Sequence, residues 1–129
     1  MPPLDADKLA QAVPRLQIEV NIWLCTVRAD GRPHLVPIWF VWHDGRIWIC
    51  TPKESQKVIN IGKNPRVAVA LEDGTHPVIL EGTAALREEA SIQDDLAPVF
   101  VSKYEWDFRT DDEADYHLVE ITPSKMLSW

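Results

Sequence analysis

The run Leu35-Val36-Pro37-Ile38-Trp39-Phe40-Val41-Trp42 is the feature that most limits how this chain can fold. In an extended strand successive side chains alternate between two faces, and here both faces are apolar. Such a strand needs a cover on each side. His43-Asp44-Gly45 follows at once, a tight-hairpin signal, because Asp-Gly supplies the positive φ angles of a two-residue turn. The run is eight residues long and contains Pro37, well short of the roughly 18 apolar residues that cross a bilayer.

The elements on either side extend this into a mainly β domain. A short helix is expected over Asp5–Val13, with Leu4, Leu9 and Val13 as its apolar stripe and Pro14 as its stop. Ile18–Val27 is rich in β-formers, and Ala29-Asp30-Gly31-Arg32-Pro33 reads as a turn into the apolar run. Arg46–Cys50 is the returning strand of a three-stranded meander. Thr51-Pro52-Lys53-Glu54 fits a capping box for a helix over residues 52–61, closed by Gly62 and Asn64-Pro65. Strands are then expected at Arg66–Leu71 and Val78–Leu86, joined by Glu72-Asp73-Gly74, and a helix over residues 88–103. Residues 105–115 read as an acidic loop, His117–Ile121 as the last strand, and Pro123 as the start of a tail ending in Trp129. The total is a single domain over residues 1–129, mainly β, a six-stranded and mostly antiparallel barrel, closed or partly closed, with short helices. Six tryptophans (23, 39, 42, 48, 106 and 129) are more than a 129-residue monomer readily buries. They predict a homodimer with its interface on the sheet.

Charge narrows the partners. The formal net charge is −7, which disfavours nucleic acid. It is unevenly spread, since residues 88–120 hold eleven acids and two bases, whereas residues 46–66 hold five bases and one acid. A small anion can therefore bind locally to a chain that repels polyanions. Cys25 and Cys50 are too few for a disulfide framework, and the start MPPLDADKLAQAV lacks a basic segment followed by an apolar stretch. A cytoplasmic protein with no membrane partner is the expectation.

Several chemistries are missing from the pattern. There is no G-x-S-x-G elbow, no Walker motif and no G-x-G-x-x-G, and His34, His43, His76 and His117 lack the i, i+4 spacing of a helical metal site. No metal is expected. The strand-to-helix junction Thr51-Pro52-Lys53-Glu54-Ser55-Gln56-Lys57 remains. Unpaired N–H groups at a helix start, two hydroxyls and two ammonium groups make a phosphate site. The residues equally allow a helix cap with solvated lysines.

From Trp23 to Leu86 the chain resembles the flavin/deazaflavin oxidoreductases of the pyridoxamine 5′-phosphate oxidase-like, FMN-binding split β-barrel superfamily. The resemblance is carried by WLCTVRADGRPHLVPIWF, GRIWICT, SQKVINIGKNPRVAV and Glu81-Gly82-Thr83-Ala84, most specifically by Ser55-x-Lys57-x-x-Asn60 and Asn64-Pro65-Arg66-Val67. It implies a homodimer binding FMN or the deazaflavin F420 in grooves at the subunit interface. The phosphate is then expected at Ser55, Gln56 and Lys57, with Thr51 nearby. The ring is expected along His34–Trp39, where backbone groups of Val36, Pro37 and Ile38 meet its polar edge. Some relatives carry a polar side chain where this chain has Pro37 and Trp39. The loop near Tyr104-Glu105-Trp106 is where a second protomer is expected to contribute. The implied reaction is hydride transfer to or from a small planar apolar substrate, with the cofactor carrying the redox step and the protein orienting it. The alternatives are a non-catalytic flavin- or haem-binding barrel and a structural dimer without ligand.

Overall fold

A computed structural model describes residues 4–128, with Ser128 as backbone only; Trp129, the expected end of the tail, lies outside the described residues. Seven strands form one antiparallel sheet: β1 (Asn21–Val27), β2 (Pro33–Trp39), β3 (Val41–His43), β4 (Arg46–Pro52), β5 (Arg66–Leu71), β6 (Val78–Arg87) and β7 (Tyr116–Ser128). Their order is β2-β1-β5-β6-β7-β4-β3. Three helices complete the fold: α1 (Ala6–Ile18), α2 (Gln56–Lys63) and α3 (Ala90–Tyr104).

The expected count was six strands, and the difference lies inside the apolar run. It is two strands that break at Phe40 and occupy opposite edges of the sheet. Consecutive strands at opposite edges require the sheet to curl until its ends meet, which gives a half-open barrel. Phe40 turns the corner fully buried. Its N–H donates to the Tyr104 hydroxyl (2.9 Å), and its carbonyl accepts from that hydroxyl (2.7 Å) and from Lys103 Nζ (2.9 Å). The hairpin after it is as expected, with Asp44 and Gly45 at positive φ and His43 paired to Arg46.

The core has two layers. Inside the curl lie Leu16, Ile22, Leu24, Phe40, Ile47, Ile49, Leu80 and Ile121. Outside β4, the helix α3 and its following loop cover Val41, Trp48 and Leu118 with Leu96, Phe100 and Phe108. Both faces of residues 40–42 are thus covered within the chain.

Three expected boundaries move, each because tertiary packing outweighs a local signal. Helix α1 passes through Pro14 to Ile18. The lost hydrogen bond is offset by complete burial of Leu16 and by Arg15, which pairs with Glu19 (2.9 Å) and donates to the His76 carbonyl (2.8 Å). The capping box does not form, because β4 continues through Thr51 and Pro52, which pair with His117 and Tyr116 of β7. Helix α2 begins four residues later, with Ser55 as N-cap. Strand β7 runs past Pro123, which stands opposite Gly82 at a bulge between Glu81 and Gly82. A proline is tolerated in a ladder at such a bulge.

Candidate functional site

The polar half of the site is built where β4 hands over to α2. Thr51 points into the barrel almost completely buried, and its hydroxyl lies 3.4 Å from that of Ser55. Ser55 makes no side-chain capping bond, so the first-turn donors of α2, at Gln56 and Lys57, have no cap. The helix is fixed in place by a buried chain of hydrogen bonds. Gln56 Nε2 donates to Asn60 Oδ1 (2.7 Å), and Asn60 Nδ2 donates to Thr26 Oγ1 of β1 (2.9 Å). Asn60, in the most distinctive part of the sequence motif, therefore positions the helix.

Lys57 and Lys53 differ sharply. Lys53 is exposed and bonded to Glu88 at 2.7 Å, which raises its pKa. Lys57 is half-buried, and that burial alone lowers its pKa. His34, on β2, is lowered first by desolvation and then by the charges of Arg28 and Lys57. Its Nδ1 is buried without a partner. Arg28 and Lys57 thus make a positive corner around the His34 imidazole, which they bias towards its neutral form, beside an uncapped helix start, and no carboxylate is among the causes acting on His34 or Lys57. This donor set fits a phosphate group.

The strand expected to carry the ring presents two faces. His34, Val36 and Ile38 are half-buried, while Pro33, Leu35, Pro37 and Trp39 are exposed. As an edge strand paired with β1 alone, β2 leaves one backbone edge free. Prolines can only turn their nitrogens away from a ladder, so Pro33 and Pro37 put the odd-numbered residues' backbone groups at that free edge. The groups open to a ligand there belong to Leu35, Pro37 and Trp39, and the Val36 and Ile38 groups face β1.

At the far end of β2 an open cleft of about 350 Å³ lies between Ile38, Trp39 and Cys50 on one side and Phe100, Trp106, Asp111 and Tyr116 on the other. Trp39 stacks on Tyr104 (centroids 4.4 Å apart, 6° between planes) and meets Trp106 edge-on. Tyr104 and Trp106, in the segment where the resemblance places a second protomer's contribution, pack against Trp39 within the chain. Burial pushes the Cys50 thiol up to about 12, so it is a neutral wall and no nucleophile. Phe100, Asp111 and Tyr116 escape sequence reasoning, since a helix, an acidic loop and a strand contribute one residue each. The aromatic density of residues 100–116 was the available signal. Among the described residues no group of three or more His, Cys, Asp or Glu side chains could hold a metal ion, and no helix is long and apolar enough to cross a membrane.

Comparison with known proteins bears on the fold and the family. A conserved hypothetical protein of Mycobacterium tuberculosis is 28% identical, with a TM-score of 0.77 over 98% of this chain and 84% of that one. An F420 reductase is 22% identical, with a TM-score of 0.69 over 87% and 92%. The haem storage protein of Vibrio cholerae is 16% identical, with a TM-score of 0.76 over 95% and 93%. Likeness at the last two identities concerns the fold. No curated protein matches the sequence. The pyridoxamine 5′-phosphate oxidase family model matches residues 10–129. With that match over nearly its whole length, the chain belongs to the pyridoxamine 5′-phosphate oxidase family.

Proposed function

We propose that the protein is a flavin-type oxidoreductase that binds FMN or F420 and acts on a small planar substrate. The observation that carries this reading is Lys57, half-buried with no acid acting on it, beside the unpartnered His34 Nδ1. A bound phosphate would answer both. Lys57, the Ser55 and Thr51 hydroxyls and the Gln56 N–H would hold it, and the free edge of β2 would take the polar edge of the ring. Val36 and Ile38 would pack beneath it, and Trp39 would border the place where substrate enters. When bound, the ring supplies the hydride chemistry. The chain's own part is to orient the ring and to exclude water with the aromatic wall of Trp39, Trp106 and Tyr116.

The reading includes a homodimer. Trp23, Leu35 and Trp39 are 38%, 59% and 44% exposed on the outer face of β1 and β2. Neighbouring Pro37, Cys25 and Ala70 extend the face in register. A contiguous apolar sheet face is what a partner subunit would cover.

The test is equilibrium titration of the purified chain with FMN, F420 and haem. Saturable binding of FMN or F420 supports the reading, and preference for F420 would identify a deazaflavin-dependent reductase. Binding of haem alone would favour the second reading, a non-catalytic haem-binding barrel, which the likeness in fold to a haem storage protein brings in. Binding of none of the three would refute both.

A further inference from the structure

We infer that the aromatic cleft takes a planar organic cation, a heteroaromatic ring with a fixed positive charge, and that this is the substrate class of the proposed reaction. The inference rests on that reading only for the cleft's role beside the ring, because the recognition chemistry is independent of any cofactor.

The cleft's walls are rings set at steep angles. Trp106 meets Trp39 at 74°, Phe100 at 82° and Tyr116 at 84°, with centroids 5.1 to 6.3 Å away. Phe100 closes this cluster from behind, buried, while the exposed Trp39 and the half-buried Trp106 and Tyr116 bring π systems to the cleft, a lining that attracts a cation.

The one charged residue lining it is Asp111. Its Oδ2 accepts from Trp106 Nε1 (2.8 Å) and its Oδ1 from the Glu113 N–H (3.0 Å). Two neutral donors fix the carboxylate in place and leave its charge uncompensated, with further lone pairs available. They also lower its pKa and so favour the ionised form. The nearby bases are taken elsewhere. Arg109 is bound to Asp107 and Asp94, and Lys103 donates to the Phe40 carbonyl and lines a different cavity. Cys50 and Tyr116 are both shifted towards their neutral forms. Asp112 and Glu113 follow Asp111 directly, in a segment with eleven acids and two bases. The cleft therefore has apolar walls in a negative field, whereas the anion corner is at the other end of β2. An anionic substrate would be repelled, and a neutral one would lack the charge attraction to Asp111.

The test is calorimetric titration of the unmodified chain with 1-methylquinolinium, quinoline and 1-naphthoate at pH 7.5. The expected order is methylquinolinium tighter than quinoline by roughly tenfold, with naphthoate weakest. Asp111→Asn keeps an acceptor for Trp106 and should cut the preference for methylquinolinium over quinoline severalfold. Equal or weaker binding of the cation by the native chain would overturn the inference, and this comparison needs no variant to fold. An unchanged preference in Asp111→Asn would overturn it as well, and so would stoichiometric displacement of the cation by FMN. A chain that selects the cation but binds neither FMN nor F420 would keep the cleft and lose the redox reading. One that binds flavin without preferring the cation would do the reverse.

Discussion

Two lysines four positions apart carry different duties, and each follows from what lies across from it. Lys53 forms a surface ion pair with Glu88, with little consequence for stability or binding. Lys57 is half desolvated and offers its charge to an incoming anion. Lys57→Ala should weaken binding of FMN or F420 by about 1.5–3 kcal/mol and leave thermal unfolding nearly unchanged. Lys53→Ala should change neither. Fluorescence titration of the two variants in parallel checks this, and equal losses would move the phosphate away from α2. Charge and spacing alone presented both lysines as equals, and the resemblance singled out Lys57; the partner that occupies Lys53, Glu88, lies on a distant segment. Ser55, Lys57 and Asn60 were legible as a motif. That Asn60 serves the helix, through Thr26 and Gln56, is a fact of tertiary packing.

At the scale of elements, the corner at Phe40 decides how strands β2 and β3 can part, and its clasp is titratable. Burial lowers Lys103 to about 8 and raises Tyr104 to about 12. The folded protein releases the Lys103 proton at lower pH than the unfolded chain does, so stability should rise with pH from about 8 towards 10. For Tyr104 the unfolded chain loses its proton first, so stability should fall from about pH 10 to 12. Denaturant midpoints across that range should trace a maximum, and Lys103→Met should flatten its rising limb, leaving the smaller part that Lys57 contributes. The bulge gives a second expectation. A Cβ on Gly82 would collide with the Thr122 carbonyl, whereas one on Gly62 of α2 meets nothing within 4 Å. Gly82→Ala should destabilise by about 1–3 kcal/mol, and Gly62→Ala should stabilise by about 0.4–1 kcal/mol. Urea titrations giving equal effects would remove the bulge from the account. Hairpin, helices and most strands were readable because period and turn chemistry are local. The break at Phe40, the extension of β4 over Thr51 and the run of β7 past Pro123 were not. Each is imposed by a strand or helix remote in sequence.

For the whole molecule, the unanswered apolar surface is the outer face of β1 and β2. The tryptophan count foretold an excess but could not say which rings stay outside. Trp48 is buried under α3, while Trp23 and Trp39 are left on the open face. Sedimentation should give a dimer near twice 14.7 kDa. Leu35→Lys, which places a charge on that face, should shift the protein to monomer while far-UV circular dichroism stays native. A native chain that sediments as a monomer would leave those rings without a cover.

The position of β7 has a kinetic meaning. It is the last strand in the order of the chain, yet it stands in the interior of the sheet, between β6 and β4. Until it is in place the other strands form two separate ribbons, β2-β1-β5-β6 and β4-β3, each with a bare edge. During synthesis on the ribosome those edges wait for the thirteen residues of β7. In that interval they are open to pairing with another nascent chain. The same strand that completes the barrel also ends its exposure to aggregation, so a chain cut before Tyr116 should accumulate as insoluble material.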